Sequence, residues 1–140
     1  MVVVDASVAF KWLVDEEPFE LTILARSLLE RFLKGEEDIL VPDILLYELG
    51  NIFSHKADLT SREIKTAWNT FQRFSLPAFS PSTDFIEKSI DFSLKHHVSV
   101  YDASYAVLAI EKKGTLLTAD RKFVAAVNLP FVKDLSSYKP

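Results

Sequence analysis

The chain lacks several patterns that mark common enzyme and membrane classes. It contains no cysteine, which excludes disulfides, thiolate catalysis and zinc sites built from cysteine. No segment is apolar over the length that a membrane-spanning helix needs, and the N-terminus begins directly with a strand-like run, so no signal peptide is visible. There is also no glycine-rich phosphate-binding loop and no nucleophile elbow. A soluble, cytoplasmic globular protein is therefore expected.

Basic residues are fewer than acidic ones. The chain has 16 lysine and arginine residues against 20 acidic residues, a net charge of −4, which argues against a broad basic surface for nucleic acid. That objection weakens if some of the acids hold metal, because bound cations invert the local charge. The length suits one domain, and we expect residues 1–140 to form it.

Short apolar runs alternate with helical patterns along the chain. The β-branched run Val2 to Val4 and the runs Ile39 to Val41 and Thr115 to Thr118 predict buried strands, with weaker strands at Leu76 to Phe79 and Pro130 to Lys133. This alternation implies βαβ units and a parallel sheet with helices on both faces. In such a sheet every strand ends at the same edge, and ligands bind there.

Helices are predicted after most of these strands. They cover Ala6 to Leu13, Phe19 to Lys34, Asp43 to about Lys56, a helix starting near Thr60, Thr83 to His96, Asp102 to Lys112 and Arg121 to Val127. Thr60 and Glu63 have the spacing of a capping box. More aromatic residues lie between Ser61 and Phe74 than one helix face needs, which we interpret as core or subunit interface.

Four acidic residues stand where apolar segments begin or end: Asp5, Glu48, Asp102 and Asp120. Asp5 and Asp120 each follow a predicted strand, Asp102 opens the helix that leads into a strand, and Glu48 lies about two helical turns after a strand. All four can therefore converge at one edge of the sheet. Clustered carboxylates repel one another, and oxygen-rich sites of this kind bind Mg²⁺ or Mn²⁺.

Each of these acids also has a purely structural interpretation. Asp5, Asp102 and Asp120 stand near predicted helix N-termini, where Asp is a preferred cap and is favoured by the helix dipole. Taken singly, capping is the better explanation for each of these three residues. Glu48 is different, because it lies inside a helix beside the apolar stripe, where a carboxylate without a partner is costly.

Polar and basic neighbours bear on the same site. Ser7 and Thr118 offer hydroxyls close to two of the acids, and Asn51 shares a helix face with Glu48. Each has an ordinary alternative: Ser7 can cap a helix, Thr118 can be a β-branched strand residue, and Asn51 can bond to backbone. Three basic residues could contact phosphate near the site, and they are Lys11, Arg121 and Lys122. A solvated surface is the more usual role for each of them.

Together, the motifs resemble the ordered signature of a known family. They are Val4-Asp5-Ala6-Ser7, Glu48-Leu49-x-Asn51, Tyr101-Asp102-Ala103 and Leu117-Thr118-Ala119-Asp120. In this order and spacing they resemble PIN-domain proteins, and the chain length and the run from Asp5 to Trp12 resemble the VapC-type toxins of toxin–antitoxin pairs. The resemblance spans the whole chain.

The resemblance implies a three-layer α/β/α fold with a five-stranded parallel sheet in the order 3-2-1-4-5. It also implies Mg²⁺- or Mn²⁺-dependent cleavage of single-stranded RNA, a homodimer, and inhibition by a cognate antitoxin protein. The implied metal-binding and catalytic residues, with the first two as primary ligands, are Asp5, Asp102, Glu48 and Asp120. The residues implied to orient these ligands are Ser7, Asn51 and Thr118.

Two other functions remain as alternatives. One is a catalytically silent PIN-like binding module, against which the intact set of four acids argues. The other is a receiver-like phosphoacceptor domain, which would have paired acids after the first strand, a phosphoacceptor Asp after the middle strand and a Lys after the last. Here the first strand ends in a single Asp5, so this alternative ranks behind the first.

Overall fold

The computed structural model describes residues 1–56 and 58–140, and a parallel sheet of five strands lies at its centre. The strands are β1 (Val2–Val4), β2 (Ile39–Pro42), β3 (Ala78–Phe79), β4 (Thr115–Thr118) and β5 (Val132–Asp134). Their order is β3-β2-β1-β4-β5, and every neighbouring pair is parallel. The expected sheet and its strand order are confirmed.

Helices cover the sheet in an α/β/α arrangement. Within the described residues there are seven α-helices: α1 (Ala6–Leu13), α2 (Phe19–Leu33), α3 (Ile44–Ser54), α4 (Ser61–Arg73), α5 (Thr83–His96), α6 (Val100–Glu111) and α7 (Arg121–Val127). Parallel strands require crossover connections, and helices supply them. No helix in this part of the chain has the length and apolar character to cross a membrane.

The centre of the core is β1 with α6 packed over it. Val3 and Val4 are completely buried, and β1 pairs with β2 on one side and β4 on the other. Every residue of α6 from 103 to 109 is buried, as expected for a helix that is apolar on nearly all sides. Full burial of each Val or Leu side chain contributes about 1.5–3 kcal/mol to the free energy of unfolding. Packing of β1 against α6 therefore stabilises the centre of the sheet.

Most element boundaries agree with the prediction to within one or two residues, and three of the differences have clear local reasons. Helix α6 begins at Val100 rather than Asp102, because the Ser99 hydroxyl accepts the N–H of Asp102 and caps the helix two residues earlier. Strands β3 and β5 begin after Pro77 and Pro130 rather than at or before them. Proline has no N–H to give to the sheet, so it marks a strand boundary.

The aromatic residues of α4 pack inward. Phe71 is buried, the Trp68 ring lies 5.6 Å from it, and the Phe74 ring lies 6.2 Å from Trp12. The predicted capping box at the start of α4 is present. Among the described residues, the larger exposed apolar side chains lie at the N-terminus and on α2, α3, α5 and α6, and they are Met1, Phe19, Ile23, Leu33, Leu46, Tyr47, Ile86, Ile90, Leu94, Tyr101 and Ile110.

Candidate active site

Asp5 lies at the end of β1, where the strand order reverses between β1 and β4. Its backbone is extended, and its carboxylate accepts the N–H groups of Ser7 at 3.0 Å and Val8 at 3.3 Å, so Asp5 caps α1. Its other oxygen, Oδ2, accepts the hydroxyl of Thr118, the last residue of β4. The capping interpretation of Asp5 is confirmed, but the bond from the neighbouring strand is one that a cap does not need.

Ser7 and Thr118 join the ends of β1 and β4 through Asp5. The Ser7 hydroxyl donates to Asp5 Oδ1 at 2.5 Å and accepts the N–H of Ala119 at 2.9 Å. The Thr118 hydroxyl, which donates to Asp5, accepts the N–H of Asp120 at 3.0 Å, and Thr118 is completely buried. These two hydroxyls therefore fix both the orientation of Asp5 and the turn that carries Asp120.

Glu48 reaches the same edge from the second turn of α3, beside buried Leu45 and Leu49. It is partly buried, and its Oε1 accepts the hydroxyl of Tyr105 at 2.7 Å. Tyr105 lies on α6, three residues after Asp102, and is 1% exposed. Sequence reasoning missed Tyr105. The available signal was a hydroxyl at the i+3 position from Asp102, on the same face of a helix of otherwise small and apolar residues.

Asp102 and Asp120 complete the group from α6 and from the start of α7. Asp102 is partly buried in the first turn of α6. Asp120 is exposed and caps α7, since it accepts the N–H of Phe123 at 3.0 Å. The capping interpretation is thus confirmed for Asp120 and is wrong for Asp102, whose helix is capped by Ser99.

These carboxylates influence one another electrostatically. Burial is the largest cause that raises the pKa of Asp5, Glu48 and Asp102 above their ordinary values. The negative charge of Asp102 raises the pKa of Asp5 and Glu48 further, and that of Asp120 raises the pKa of Asp102. At Asp5 the hydrogen bonds from the hydroxyls oppose this rise. Because such effects weaken with distance, the four side chains share one region.

In the described part of the chain no basic side chain forms an ion pair with this group, which we call the carboxylate edge (Asp5, Glu48, Asp102 and Asp120). Every ion pair within the described residues involves other acids. As the side chains stand, no three acidic or histidine side chains in that part of the chain form a cluster ready to hold one metal ion. Carboxylates that repel one another stay apart without a cation. The donors are all oxygens, the kind that Mg²⁺ and Mn²⁺ prefer.

Asn51 lies apart from this network. It is one helical turn beyond Glu48 on α3 and is exposed. Its backbone carbonyl accepts the hydroxyl of Ser54 at 2.9 Å, and its side chain makes no hydrogen bond to another described residue. The structure therefore joins Ser7 and Thr118 directly to Asp5 and leaves Asn51 at the rim.

Two of the basic residues considered as phosphate contacts are engaged with acids elsewhere. Lys11 is only 7% exposed, and its Nζ lies 2.9 Å from Glu16, so the expectation of a solvated surface is wrong for this residue. Arg121 is exposed and pairs with Asp134 at 3.3 Å. Lys122 is exposed, as expected. Burial of Lys11 is possible because its partner neutralises its charge.

The fold, with a carboxylate edge where the strand order reverses, defines an α/β protein with an acidic site at the carboxyl ends of its strands. The PIN domain family matches residues 2–128. The chain belongs to the PIN domain family.

Known proteins of similar sequence or fold agree with this assignment. Ribonuclease VapC3 from Pyrobaculum aerophilum is 29% identical over 127 residues, which are 86% of this chain and 89% of that protein. The crystal structure of PAE2754 from Pyrobaculum aerophilum has a TM-score of 0.71 at 21% identity and covers 97% of this chain and 90% of its own. The crystal structure of VapC20 from Mycobacterium tuberculosis, described as a sarcin-ricin loop cleaving toxin, has a TM-score of 0.67 at 15% identity. It covers 94% of this chain and 97% of its own. At these identities the two structures show the fold, and the predicted family is confirmed.

Proposed function

We propose that the chain is a Mg²⁺- or Mn²⁺-dependent endoribonuclease that cleaves single-stranded RNA and acts as the toxin of a toxin–antitoxin pair. The observation that carries the proposal is the carboxylate edge, four interacting acids at the strand reversal without a basic partner among the described residues. The name of VapC3 and the description of VapC20 as a cleaving toxin support RNA as the substrate class.

The chain's own residues have distinct roles in this proposal. Asp5 and Asp102 would be the primary metal ligands, with Glu48 and Asp120 completing the site directly or through water. A divalent ion bound there supplies a more acidic water and stabilises negative charge on the phosphoryl oxygens. Ser7 and Thr118 hold Asp5 in one orientation through their hydroxyls, and Asn51 is proposed to act near Glu48. Fixing a ligand before binding lowers the entropy lost on binding.

Protons compete with the cation at this edge. Burial raises the pKa of Asp5, Glu48 and Asp102, and a carboxylate must be ionised before it binds a metal ion. Metal affinity should therefore fall as the solution becomes more acidic. A catalytically silent PIN-like module remains the alternative function, whereas membership of the PIN family argues against the receiver-like domain.

A cleavage assay tests the proposed function directly. Purified protein is incubated with a labelled single-stranded RNA, and with the same RNA in a duplex, in Mn²⁺, in Mg²⁺ and in EDTA. We expect cleavage of the single strand in either metal and none in EDTA. Activity that EDTA leaves undiminished would contradict the metal dependence, and no cleavage under any condition would favour the silent module.

We also propose a homodimer. The aromatic residues of α4 pack inward, so the support comes from the exposed apolar side chains of α3 and α5, among them Tyr47 at 80% and Leu94 at 71% exposure. A two-fold dimer is the usual way to cover such surfaces. Light scattering at micromolar concentration should give twice the mass of the 140-residue chain, and a monomer would contradict the proposal.

A cognate antitoxin protein is the proposed partner. A basic side chain of that protein, placed among the acids of the carboxylate edge, would form charge-assisted hydrogen bonds and block the site. Purification from the native operon should yield this chain with a small bound protein, and isolation of the chain alone would argue for a free-standing nuclease. A single domain over residues 1–140 and a cytoplasmic location are part of the same proposal.

A further inference from the structure

We propose that Tyr105 is a positioning residue that holds Glu48 in the orientation that the carboxylate edge needs to bind a divalent cation. The inference rests on the proposed function and extends it to a residue outside the four acids. Tyr105 extends from α6 to α3, and its hydroxyl donates to Glu48 Oε1 at 2.7 Å.

The surroundings of Tyr105 leave its hydroxyl one hydrogen-bond partner among the described residues. The side chain is 1% exposed inside a helix whose other residues from 103 to 109 are also buried. A phenylalanine would fill the same space, and a buried hydroxyl is costly unless it forms a hydrogen bond. The only partner of the Tyr105 hydroxyl among the described residues is Glu48. Packing alone therefore explains the ring but not the oxygen atom.

Glu48 needs such a donor because its neighbours repel it. The charges of Asp102 and Asp5 both act against ionised Glu48. Glu48 is only partly buried, so without an attractive contact its flexible side chain is free to turn toward water. The bond from Tyr105 opposes that motion and keeps the carboxylate beside Asp102.

A tyrosine suits this task better than a lysine or arginine would. A tyrosine hydroxyl carries no charge near neutral pH, since its ordinary pKa is about 10, whereas lysine and arginine side chains are positively charged. The Tyr105 hydroxyl holds one oxygen of Glu48 without cancelling the negative charge that attracts a cation. The second oxygen, Oε2, makes no hydrogen bond to a described residue and is left to bind.

The test compares Tyr105→Phe with wild type and with Tyr138→Phe as a matched control. The buried hydroxyl of Tyr138 has Arg31, Glu36 and Glu37 as its charged neighbours rather than the acids of the carboxylate edge, so its removal should leave Mn²⁺ affinity unchanged. Mn²⁺ affinity is measured by titration calorimetry without RNA, and kcat and KM are measured with single-stranded RNA. We expect Tyr105→Phe to lose about 10- to 100-fold in Mn²⁺ affinity or kcat, as is usual for partners that orient metal ligands, with KM unchanged.

A double-mutant cycle separates positioning from a general structural role. If Tyr105 acts through Glu48, adding Tyr105→Phe to Glu48→Gln should cause little further loss of Mn²⁺ affinity. Independent, additive losses would overturn the inference, and so would wild-type affinity and kcat in Tyr105→Phe. If that variant fails to fold, a crystal structure of the wild type with Mg²⁺ decides, because a hydroxyl turned away from Glu48 would overturn the inference and a retained bond would support it.

The two proposals fail in different ways. A wild-type protein that neither binds Mn²⁺ nor cleaves RNA overturns the proposed function and this inference together. A wild-type protein that does both, alongside a Tyr105→Phe variant that matches it, overturns only the role of Tyr105. The control Tyr138→Phe should match wild type whenever the inference holds.

Discussion

Acidic side chains gather in two regions of the molecule, and their partners differ. On the exposed side of α5 and α6, Lys88 lies 3.3 Å from Asp84 and 2.8 Å from Glu111. At the carboxylate edge the partners are hydroxyls and backbone N–H groups, such as those that contact Asp5. In the first region a lysine of the protein itself offsets part of the negative charge, whereas the second has no basic partner among the described residues.

The difference supports the proposal that the carboxylate edge binds a cation. Exposed ion pairs add little stability, because water and salt screen them. Partly buried carboxylates without a cation are costly, since burial disfavours their charge and neighbouring charges add to the penalty. This cost falls at the strand ends, where α/β folds bind ligands, and we interpret it as support for the proposed cation site.

The largest expected effect comes from removing a charge at the carboxylate edge. Asp5→Asn and Asp102→Asn should each lose more than about 100-fold in RNA cleavage, because loss of a ligand exceeds the loss of a group that merely orients one. Asp84→Asn, the matched change among the α5–α6 ion pairs, should retain activity. Circular dichroism checks that all three variants are folded. Full activity in both edge variants would remove the distinction between the two regions.

A second effect concerns the hydroxyl that joins the strand ends. Thr118→Val keeps the side-chain shape but removes the donor to Asp5 and the acceptor of the Asp120 N–H. Leaving buried polar groups unpaired should lower the free energy of unfolding by about 1–3 kcal/mol. Thr70→Val, which removes an exposed hydroxyl bonded to the carbonyl of Thr66, should change it by less than about 0.5 kcal/mol. Urea unfolding measures both, and equal effects would argue against a special role for Thr118.

Much of this arrangement could be predicted from the sequence. Runs such as Val2 to Val4 are short and β-branched, so they identify buried strands, and the rule that parallel strands end together places Asp5 and Asp120 at one edge. The strand order and the nuclease chemistry came instead from the resemblance to PIN-domain proteins. Local capping rules also succeeded for Asp5 and Asp120, because a cap depends on only a few adjacent residues.

The contacts that sequence reasoning missed depend on packing between distant elements. Tyr105 and Glu48 are 57 positions apart, and no local pattern shows that α6 brings one hydroxyl to α3. Burial of Lys11 likewise depends on the loop after α1 placing Glu16 beside it. The start of α6 was mispredicted because two polar residues, Ser99 and Asp102, both suit a helix N-terminus.

A smaller effect should appear in the pH dependence of stability without metal. The raised pKa of Asp102 means that the folded state holds this proton more tightly than the unfolded state. The tighter hold on this proton adds to the free energy of unfolding. The added stability is fully present below the ordinary Asp pKa of 3.8 and is lost as pH rises through the raised pKa of the folded state. Asp102→Asn lacks this loss, so the variant should gain in melting temperature relative to wild type as pH rises in EDTA. If the melting temperatures of wild type and Asp102→Asn change with pH in the same way between pH 4 and 8, the raised pKa is contradicted.

The smallest effect should follow from breaking the α5–α6 ion pairs. Lys88→Met removes the contacts to Asp84 and Glu111, but these charges are exposed and screened. The melting temperature should therefore fall by less than in Thr118→Val, and the difference from wild type should shrink further in high salt. A larger loss than in Thr118→Val would mean that the ion pairs, and not the strand ends, stabilise this part of the fold.

The central claim is that the carboxylate edge binds a divalent cation, and calorimetric melting tests it without any substrate. Wild type and Asp102→Asn are each melted in EDTA and in excess Mn²⁺. Metal at about tenfold above its dissociation constant adds roughly 1.4 kcal/mol, which for a domain of this size raises the melting temperature by about 3–6 °C. The account predicts this rise in wild type and its near loss in Asp102→Asn, whose metal-free form melts no lower than wild type. Equal shifts in the two proteins, or no shift in wild type, would contradict it.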